Sequence, residues 1–306
     1  MRFNPKAQID QSQIEYRSGG GRIGGGGMRL PIPSGGGGKA GLGTVILLIV
    51  YVLFQVIAGN SVVPGTGGGS GGDTATTLAD CKNGADANAR QECAIGLITT
   101  SVQDYWAQAF EAQTGRSYQD ARTIAFSGTT GSACGTAASE MGPFYCPNDQ
   151  QVYIDTSFMD DMLEGQLGAK GGPFALGYVI AHEYGHHVEN LLGVLGKART
   201  QQGAKSDSVK IELMADCLGG MWAKSAQATR DEKGNTIIED LTQDDIARAI
   251  DAAQAVGDDR IQKQSSGRVN PEAWTHGSSE QRVHWFNVGL QEGSLQACNT
   301  FAPGAL

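Results

Sequence analysis

Apolar side chains recur every three or four residues through much of the chain after residue 90, which is the spacing of one face of an α-helix. This periodicity predicts helices over residues 93–112, 174–192, 207–226, 242–255 and 278–291. The fourth of these begins at Thr242, and Asp245 three residues later completes a capping box. The fifth begins in the same way with Ser278 and Gln281. Helix therefore dominates this part of the chain.

Two short runs have the character of strands. Residues 123–126 and 151–155 are bounded by polar turn residues, and Val152, Tyr153 and Ile154 are β-branched or aromatic, as is typical of strands. A few strands among many helices predict an α+β domain, mainly helical and with a small sheet.

The first 73 residues have a different pattern. Residues 42–63 contain no charged side chain, and about 20 apolar residues are enough to cross a membrane. Glycine-rich sequence on both sides argues against a buried core helix, while the long leader that includes residues 1–39 argues against a cleaved signal peptide. We therefore expect a disordered arm over 1–41, a transmembrane helix over 42–63, a flexible linker over 64–73 and a domain over 74–306.

Charge is divided unevenly along the chain. Residues 1–39 hold six basic and two acidic side chains, a formal +4, so the remainder must carry −13 to give the whole-chain value of −9. Basic residues before the apolar stretch predict a cytoplasmic arm and a domain in the periplasm or outside the cell. An acidic domain argues against nucleic acid as a partner, because its phosphates are bound by Lys and Arg.

Every cysteine of the chain follows the apolar stretch. They are Cys81, Cys93, Cys134, Cys146, Cys217 and Cys298. An even number beyond a membrane anchor predicts disulfides in an oxidising compartment. Among the possible pairings we favour the sequence neighbours 81–93 and 134–146, with 217–298 as the long-range pair. Six buried thiols are the alternative.

A metal-binding pattern lies inside the predicted helix 174–192. His182-Glu183-x-x-His186 puts two imidazoles at positions i and i+4, so both lie on one helix face and can bind one ion. Glu183 beside them is placed to take a proton from a water molecule that zinc has made acidic. Three of the five histidines fall within six residues here, which argues against a chance match. His187 is offset around the helix, so we expect it to be a polar neighbour of the site.

The third ligand is expected on the next helix. Glu212 follows His186 by 26 residues, and Asp216 lies one helical turn later on the same face. Both acids stand among apolar neighbours, so we expect them to have partners. Glu212 would complete the metal site, and Asp216 would accept a hydrogen bond from a liganding histidine. A solvated acidic helix face is the alternative.

Two side chains near the carboxy terminus are candidates for stabilising a negatively charged transition state. His276 lies just before the last predicted helix, and Arg282 lies one turn inside it. A cation or hydrogen-bond donor opposite the attacking water lowers the barrier to hydrolysis of a carbonyl compound. The alternatives are that His276 caps local structure and that Arg282 pairs with an acid such as Glu280 or Asp216.

These blocks together resemble the neutral zinc metallopeptidase family of bacteria and, more distantly, the gluzincins, which include thermolysin and the CAAX-protease-like membrane enzymes. The resemblance covers residues 74–306, and its marks are residues 134–135, 142–147, 152–155, 181–187, 212–217 and 275–282. It implies zinc on His182, His186 and Glu212. It also implies that Glu183 is the general base and that Asp216 stands behind a ligand.

The resemblance also bears on substrate binding. It implies that Val152, Tyr153 and Ile154 form the sheet edge that lines the cleft, where an extended peptide adds as a strand. In CAAX-protease-like enzymes a Thr-His pair followed by an Arg lies near the site, which keeps His276 and Arg282 as candidates.

We therefore expect a membrane-anchored zinc metallopeptidase that acts on peptides or proteins. A zinc hydrolase of a non-peptide amide or ester shares every motif, and a catalytically silent metal-binding interaction protein is the third possibility. The presence of Glu183 argues against the last, since loss of that base is the simplest route to inactivity. The sequence leaves the oligomeric state open.

Overall fold

A mixed four-stranded sheet forms one side of the domain, and helices pack against it. The computed structural model describes residues 1–17 and 80–306. The strands are β1 (Arg2–Phe3), β2 (Ile14–Arg17), β3 (Arg122–Phe126), β4 (Thr129–Ser132), β5 (Gly135–Ala138), β6 (Phe144–Cys146), β7 (Gln151–Asp155) and β8 (Ile238–Asp240). The sheet has the order β2-β3-β7-β6, in which β6 is antiparallel to β7 and the other neighbours are parallel. β4 and β5 form a separate hairpin, and β1 pairs with β8.

The helices agree closely with the periodicity of the sequence. They are α1 (Gly84–Ala89), α2 (Gln91–Thr114), α3 (Pro173–Leu191), α4 (Asp207–Ser225), α5 (Gln243–Ala255), α6 (Asp258–Ser266) and α7 (Ser279–Glu292), with a π-helix over Met159–Gln166. All five predicted helices are present, with ends within two residues of those predicted. Thr242 and Ser278 are helix caps with complete capping boxes. The predicted α+β class, mainly helical, is confirmed.

Helices α4 and α7 are in unusually close contact. A Cβ atom at Gly289 of α7 would lie 1.8 Å from the carbonyl oxygen of Cys217 in α4, so a larger residue there would force the helices apart. Arg282 lies two turns before Gly289 on the same side of α7. The close approach therefore brings Arg282 against α4.

The three predicted disulfides are confirmed. They join Cys81 to Cys93, Cys134 to Cys146, and Cys217 to Cys298. The second ties the β4–β5 hairpin to the end of β6, and the third ties α4 to the segment after α7. No cysteine of the described residues is left as a thiol, so the alternative of six buried thiols is wrong.

Residues 1–17 belong to the folded domain, so the prediction of a disordered arm over residues 1–41 is wrong for this part. β2 pairs with β3 along its whole length, and Phe3, Ile9 and Ile14 are buried in the main core. The backbone N–H of Ile9 donates to the carbonyl of Lys82 at 2.9 Å. These contacts are all non-local, and the few apolar residues of the segment have no regular period that could reveal them.

This packing bears on the predicted membrane topology. The transmembrane helix predicted over 42–63, the linker over 64–73 and the rest of the predicted arm lie outside the described residues. A single crossing would put residues 1–17 and 80–306 on opposite sides of a membrane, which their shared sheet and core do not permit. A cytoplasmic arm with an external domain is therefore incompatible with the fold. In neither described part is any helix long and apolar enough to span a bilayer.

Candidate metal centre

His182, His186 and Glu212 converge at one point between α3 and α4. One carboxylate oxygen of Glu212 lies 3.3 Å from Nε2 of His182, and the other lies 3.6 Å from Nε2 of His186. A tetrahedral zinc ion with bonds of about 2.0–2.2 Å holds its ligand atoms about 3.3–3.6 Å apart. One ligand atom from each of the three buried side chains lies within 4.8 Å of the other two, which is close enough to bind one zinc ion, and within residues 1–17 and 80–306 they form the only such cluster of three potential ligands.

Gly185 explains how the two helices come close enough for this convergence. A Cβ atom at this position would lie 2.9 Å from both Cα and the carbonyl oxygen of Ala215, so any side chain would push α3 away from α4. Gly185 stands between the liganding histidines, and Ala215 stands between Glu212 and Asp216 on the facing helix. The glycine of the motif thus sets the distance across which Glu212 reaches the two imidazoles.

Each liganding histidine is held by a carboxylate through its other ring nitrogen. Nδ1 of His182 lies 2.9 Å from Oδ1 of Asp216, which is the contact predicted for that acid. Nδ1 of His186 lies 2.8 Å from Oε2 of Glu189. In each case Nδ1 contacts the carboxylate, while Nε2 faces Glu212 and the position of the metal. Glu189 is absent from the sequence predictions, although its place three residues after His186 was a usable signal.

Asp216 is the centre of a buried network that contains Arg282. The guanidinium donates from Nε to Oδ2 at 2.8 Å and from Nη2 to Oδ1 at 2.9 Å, and the hydroxyl of Tyr178 donates to Oδ1 at 2.6 Å. Burial alone would raise the pKa of Asp216, but the positive charges of Arg282 and His182 lower it below its ordinary value. Of the two readings of Arg282, the structure shows the pairing with Asp216, and Arg282 also lines the cavity.

Glu183 lines the same cavity as the three ligands. Burial raises the pKa of Glu183 above the ordinary value of a glutamate, and the neighbouring His182 and His186 oppose this shift without cancelling it. A carboxylate whose pKa is raised toward neutrality is better matched to proton transfer near neutral pH. Its position and its pKa therefore suit a general base.

His276 reaches the cavity from the loop before α7. Its Nδ1 lies 3.4 Å from Oδ1 of Asp258, whose other oxygen accepts the backbone N–H groups of residues 275–277 at 2.7–3.0 Å. Burial alone would lower the pKa of His276, but Glu212 and Asp258 outweigh it and raise the value. The structure therefore brings the predicted His276 to the site, and it adds Asp258, which no sequence pattern indicated.

The charges of the site stabilise one another away from solvent. Burial alone would lower the pKa of His182, but Asp216 and Glu212 outweigh it and raise the value to about 10. Burial would likewise raise the pKa of Glu212, but the imidazoles of His276, His186 and His182 lower it. A buried carboxylate that stays ionised beside two imidazoles is a donor set suited to a divalent cation, whose binding displaces the proton that the metal-free site holds.

The sheet edge at the cavity is β6, so the prediction that Val152, Tyr153 and Ile154 form this edge is wrong. These residues lie in β7, which is an inner strand paired with β3 and β6. Phe144 of β6 lines the cavity, and Tyr153 reaches it only by stacking on Phe144, with ring centroids 5.0 Å apart. The three residues of β6 are too few to show a strand pattern in the sequence.

Comparisons with known proteins agree with this geometry. A family model described as "Putative neutral zinc metallopeptidase" matches residues 1–301. An uncharacterized protein of Mycobacterium tuberculosis (strain H37Rv) is 48% identical over 231 residues, which are 75% of this chain and 77% of that protein. The uncharacterized protein YpfJ of Escherichia coli K12 is 42% identical over 311 residues, with 98% of this chain and 99% of that protein covered. No solved structure matches.

Proposed function

Since this chain belongs to the neutral zinc metallopeptidase family, we propose that it hydrolyses peptide bonds in peptides or proteins, with Zn²⁺ as its cofactor. The observation that carries the proposal is the place of Glu183 in one cavity with the ligand set of His182, His186 and Glu212. A structural zinc site needs no such carboxylate beside an accessible cavity, whereas a hydrolytic site does.

The proposed reaction divides its work between the metal and Glu183. Zinc in a site of this kind lowers the pKa of water to about 7 and polarises a carbonyl group. Glu183 accepts the proton of the attacking water and passes it to the amine that leaves. Its raised pKa supports both steps, because the carboxylate must first gain a proton and then release it.

His276 is proposed to stabilise the negative charge that develops on the carbonyl oxygen. The hydroxyl of Thr275 and the carboxylate of Asp258 contact Nδ1 of His276 at 2.9 and 3.4 Å, which leaves Nε2 available as a donor toward the cavity. The raised pKa of His276 favours the protonated form that such a donor needs. Arg282 is proposed to act indirectly: it neutralises the carboxylate of Asp216, and this carboxylate holds His182 in position.

The substrate backbone is proposed to lie along β6, at the outer edge of the sheet. An extended peptide can add to such an edge through main-chain hydrogen bonds. Phe144 of this strand borders the cavity that contains the ligands. This assignment replaces the edge that the sequence placed at residues 152–154.

The protein is proposed to work in the periplasm or outside the cell, attached to one face of a membrane through residues 42–63 without crossing it. Three disulfides among residues 80–306 support an oxidising compartment. The pairing of β2 with β3 supports an arrangement in which residues 1–17 lie on the same side of the membrane as that domain.

Metal analysis of the full chain tests the ligand set and the base separately. We expect about one zinc per chain in the wild type and in Glu183→Ala, and markedly weaker retention in Glu212→Ala. The full chain is required because residues 1–17 contribute a strand and core side chains. Equal zinc in all three proteins would contradict the ligand assignment.

Digestion of casein, beside small amide and ester substrates, tests the reaction itself. We expect casein to be cleaved by the wild type and not by Glu183→Ala. Cleavage that survives in this variant would contradict the mechanism. Hydrolysis of the small substrates alone would indicate a non-peptide hydrolase, and bound zinc without any hydrolysis would indicate a metal-binding interaction protein.

A further inference from the structure

We propose that the disulfide between Cys134 and Cys146 holds the edge strand β6 in the position that peptide binding requires. The inference rests on the proposed peptidase function and assigns positioning residues to the same site. The disulfide acts through residues 128–141, which we call the outer hairpin and which contain β4, β5 and the turn after them. It joins the tip of this hairpin to the last residue of β6.

β6 has little means of holding its own position. It is three residues long, and its ladder with β7 pairs Phe144 with Tyr153 and Cys146 with Gln151. A strand of this length at the edge of a sheet has few main-chain hydrogen bonds to resist a shift. The position of β6 must therefore depend on what its two faces contact.

The two faces of β6 contact different parts of the fold, because successive side chains of a strand point to opposite sides. Tyr145 faces the helices and belongs to the main core. Phe144 and Cys146 face the other side and belong to a separate apolar cluster. The other buried members of that cluster come from the sheet and from the outer hairpin, and they are Ile124, Phe126, Cys134, Ala137, Met141 and Tyr153. The second face of β6 is therefore packed by the outer hairpin.

The outer hairpin is fixed at its base and at its tip. At the base, Oδ2 of buried Asp155 accepts the backbone N–H of Gly128 at 2.9 Å and the hydroxyl of Ser139 at 2.6 Å. These two residues flank the hairpin, so one carboxylate at the end of β7 closes it. At the tip, Asp149 accepts the backbone N–H of Ala133 at 2.8 Å, beside the disulfide. A hairpin held in this way can fix the strand to which it is bonded.

The outer hairpin leads directly into the substrate cavity. Residues 141–144, which connect it with β6, all line the cavity that contains the metal ligands. The ligands themselves lie on α3 and α4, and neither Cys134 nor Cys146 is among the described lining residues. Loss of the disulfide is therefore expected to displace the substrate edge and to spare the metal centre.

Cys134→Ala/Cys146→Ala in the full chain tests this expectation. We expect KM for a peptide to rise about tenfold, which is the effect of one or two misaligned main-chain hydrogen bonds. The value of kcat and the zinc content should stay within about twofold of the wild type, because the groups that act in the transition state are unchanged.

Cys81→Ala/Cys93→Ala is the matched control. Both disulfides join cysteines 12 residues apart, so their removal frees the unfolded chain to the same extent. The control should lose a similar amount of stability and keep the wild-type KM, because Cys81 and Cys93 lie outside the cluster that packs on β6. An equal rise of KM in both double variants would overturn the inference.

Ser139→Ala tests the same path while all three disulfides remain. It removes one hydrogen bond at the base of the outer hairpin, and we expect KM to rise about threefold. Ser12→Ala is its control, because the hydroxyl of Ser12 also donates to an aspartate, Asp10, at 2.6 Å, but in the amino-terminal segment. Equal KM values in the two variants would contradict the outer hairpin as the path to β6.

Hydroxamate binding separates this inference from the proposed function. Acetohydroxamate binds the metal alone, whereas acetyl-Ala-Ala-Ala hydroxamate adds a main chain that can lie along β6. Both can be titrated by calorimetry into the zinc-loaded proteins. We expect the wild type to bind the peptide compound about 100-fold more tightly, and Cys134→Ala/Cys146→Ala to lose about tenfold of this advantage.

The two possible failures of this titration have different meanings. An advantage of equal size in the wild type and in the variant would overturn the inference and leave the peptidase function intact. No advantage in the wild type would overturn peptide binding along β6, and the inference with it.

Hydrogen exchange gives a measurement that needs neither substrate nor inhibitor. The backbone N–H groups of residues 144–146 should exchange about tenfold faster in Cys134→Ala/Cys146→Ala than in the wild type, because local opening of β6 becomes easier. Those of α3 should keep their wild-type rates. Unchanged exchange in β6 would overturn the inference.

Discussion

Nδ1 of His187 lies 3.0 Å from the hydroxyl of Tyr145, a contact that joins the helix of the metal ligands to the edge strand β6. Nε2 of His187 lies 2.6 Å from the carbonyl oxygen of Gln119 and must donate to it, so Nδ1 accepts from the tyrosine. Asn190 of α3 donates to the same hydroxyl at 3.0 Å. Phe144, which precedes Tyr145 in β6, lines the cavity. The third histidine of the motif therefore positions the strand that borders the substrate site.

Tyr145→Phe is expected to raise KM for a peptide about three- to tenfold, while kcat and zinc content stay within about twofold of the wild type. The two hydrogen bonds that are lost, with His187 and Asn190, are each worth about 0.5–1.5 kcal/mol, and their loss frees β6 to move relative to α3. The metal ligands do not contact Tyr145, so the chemical step should be spared. Steady-state kinetics and metal analysis of the same preparation measure both quantities.

Tyr118→Phe is the matched control for this prediction. Tyr118 packs edge-on against His187, with ring centroids 5.6 Å apart, but its hydroxyl donates to Gln103 and not to β6. Removal of the Tyr118 hydroxyl should therefore leave KM for the peptide unchanged. An equal rise of KM in both variants would mean that general loosening of the core is responsible, and would contradict a positioning role for the contact of His187 with Tyr145.

The two carboxylates behind the liganding histidines are expected to differ in their effect on stability. Asp216→Asn should weaken zinc binding about 10–100-fold and lower the free energy of unfolding by about 3–5 kcal/mol, because buried Arg282 loses its partner. Glu189→Gln should weaken zinc binding too, but with a smaller loss of stability, since among the described contacts the side chain of Glu189 bonds only to His186. Chelator competition measures the first quantity, and urea unfolding of the metal-free proteins measures the second. Equal stability of the two variants would count against the buried ion pair.

Local signals account for what the sequence could predict. The metal helix α3 is recognisable because its apolar period, its i, i+4 histidines and Gly193 just beyond its end all lie within 22 residues. The place of β7 inside the sheet depends instead on β2 and β6, which are four and three residues long. Strand pairing of this kind is set by distant partners and not by the composition of Val152, Tyr153 and Ile154.

The partners of buried charges were the second gap in the sequence predictions. Arg282 and Asp216 are 66 residues apart, and the sequence left open whether the arginine served the transition state or an acid. The close approach of α7 to α4 at Gly289 decides this question, because it places the guanidinium against the carboxylate. Asp258 was missed for the same reason, since it meets His276 only after α6 has packed beside the loop.

Ile14→Ala is expected to lower the free energy of unfolding by about 2–5 kcal/mol. Ile14 is 5% exposed and lies at the start of β2, and removal of a buried branched side chain costs this amount when the cavity cannot collapse. Val269→Ala, at a residue that is 46% exposed, should change stability by no more than about 0.5 kcal/mol. Urea unfolding of the full chain measures both. No effect of Ile14→Ala would mean that the segment 1–17 does not stay in the core.

Asp231 ties the amino-terminal segment to the rest of the domain through a charge. Its Oδ2 accepts the backbone N–H of Gln8 at 2.8 Å, and its carboxylate also accepts the backbone N–H groups of Lys233 and Asn235 and the side-chain amide of Asn235. Burial alone would raise the pKa of Asp231, but the amide of Asn235 and the backbone groups outweigh it and lower the value. The ionised form is therefore the one that the fold prefers.

The lowered pKa of Asp231 has a consequence for stability in acid. The unfolded chain, in which an aspartate has a pKa of about 3.9, takes up a proton at a higher pH than the folded protein does. The contribution of Asp231 is therefore complete above about pH 5 and is lost as the pH falls through the folded-state pKa. Asp231→Asn should make the free energy of unfolding less dependent on pH between about 5 and 3, as measured by urea unfolding at each pH. An unchanged slope would show that the hydrogen bond to Gln8 does not depend on the charge of Asp231.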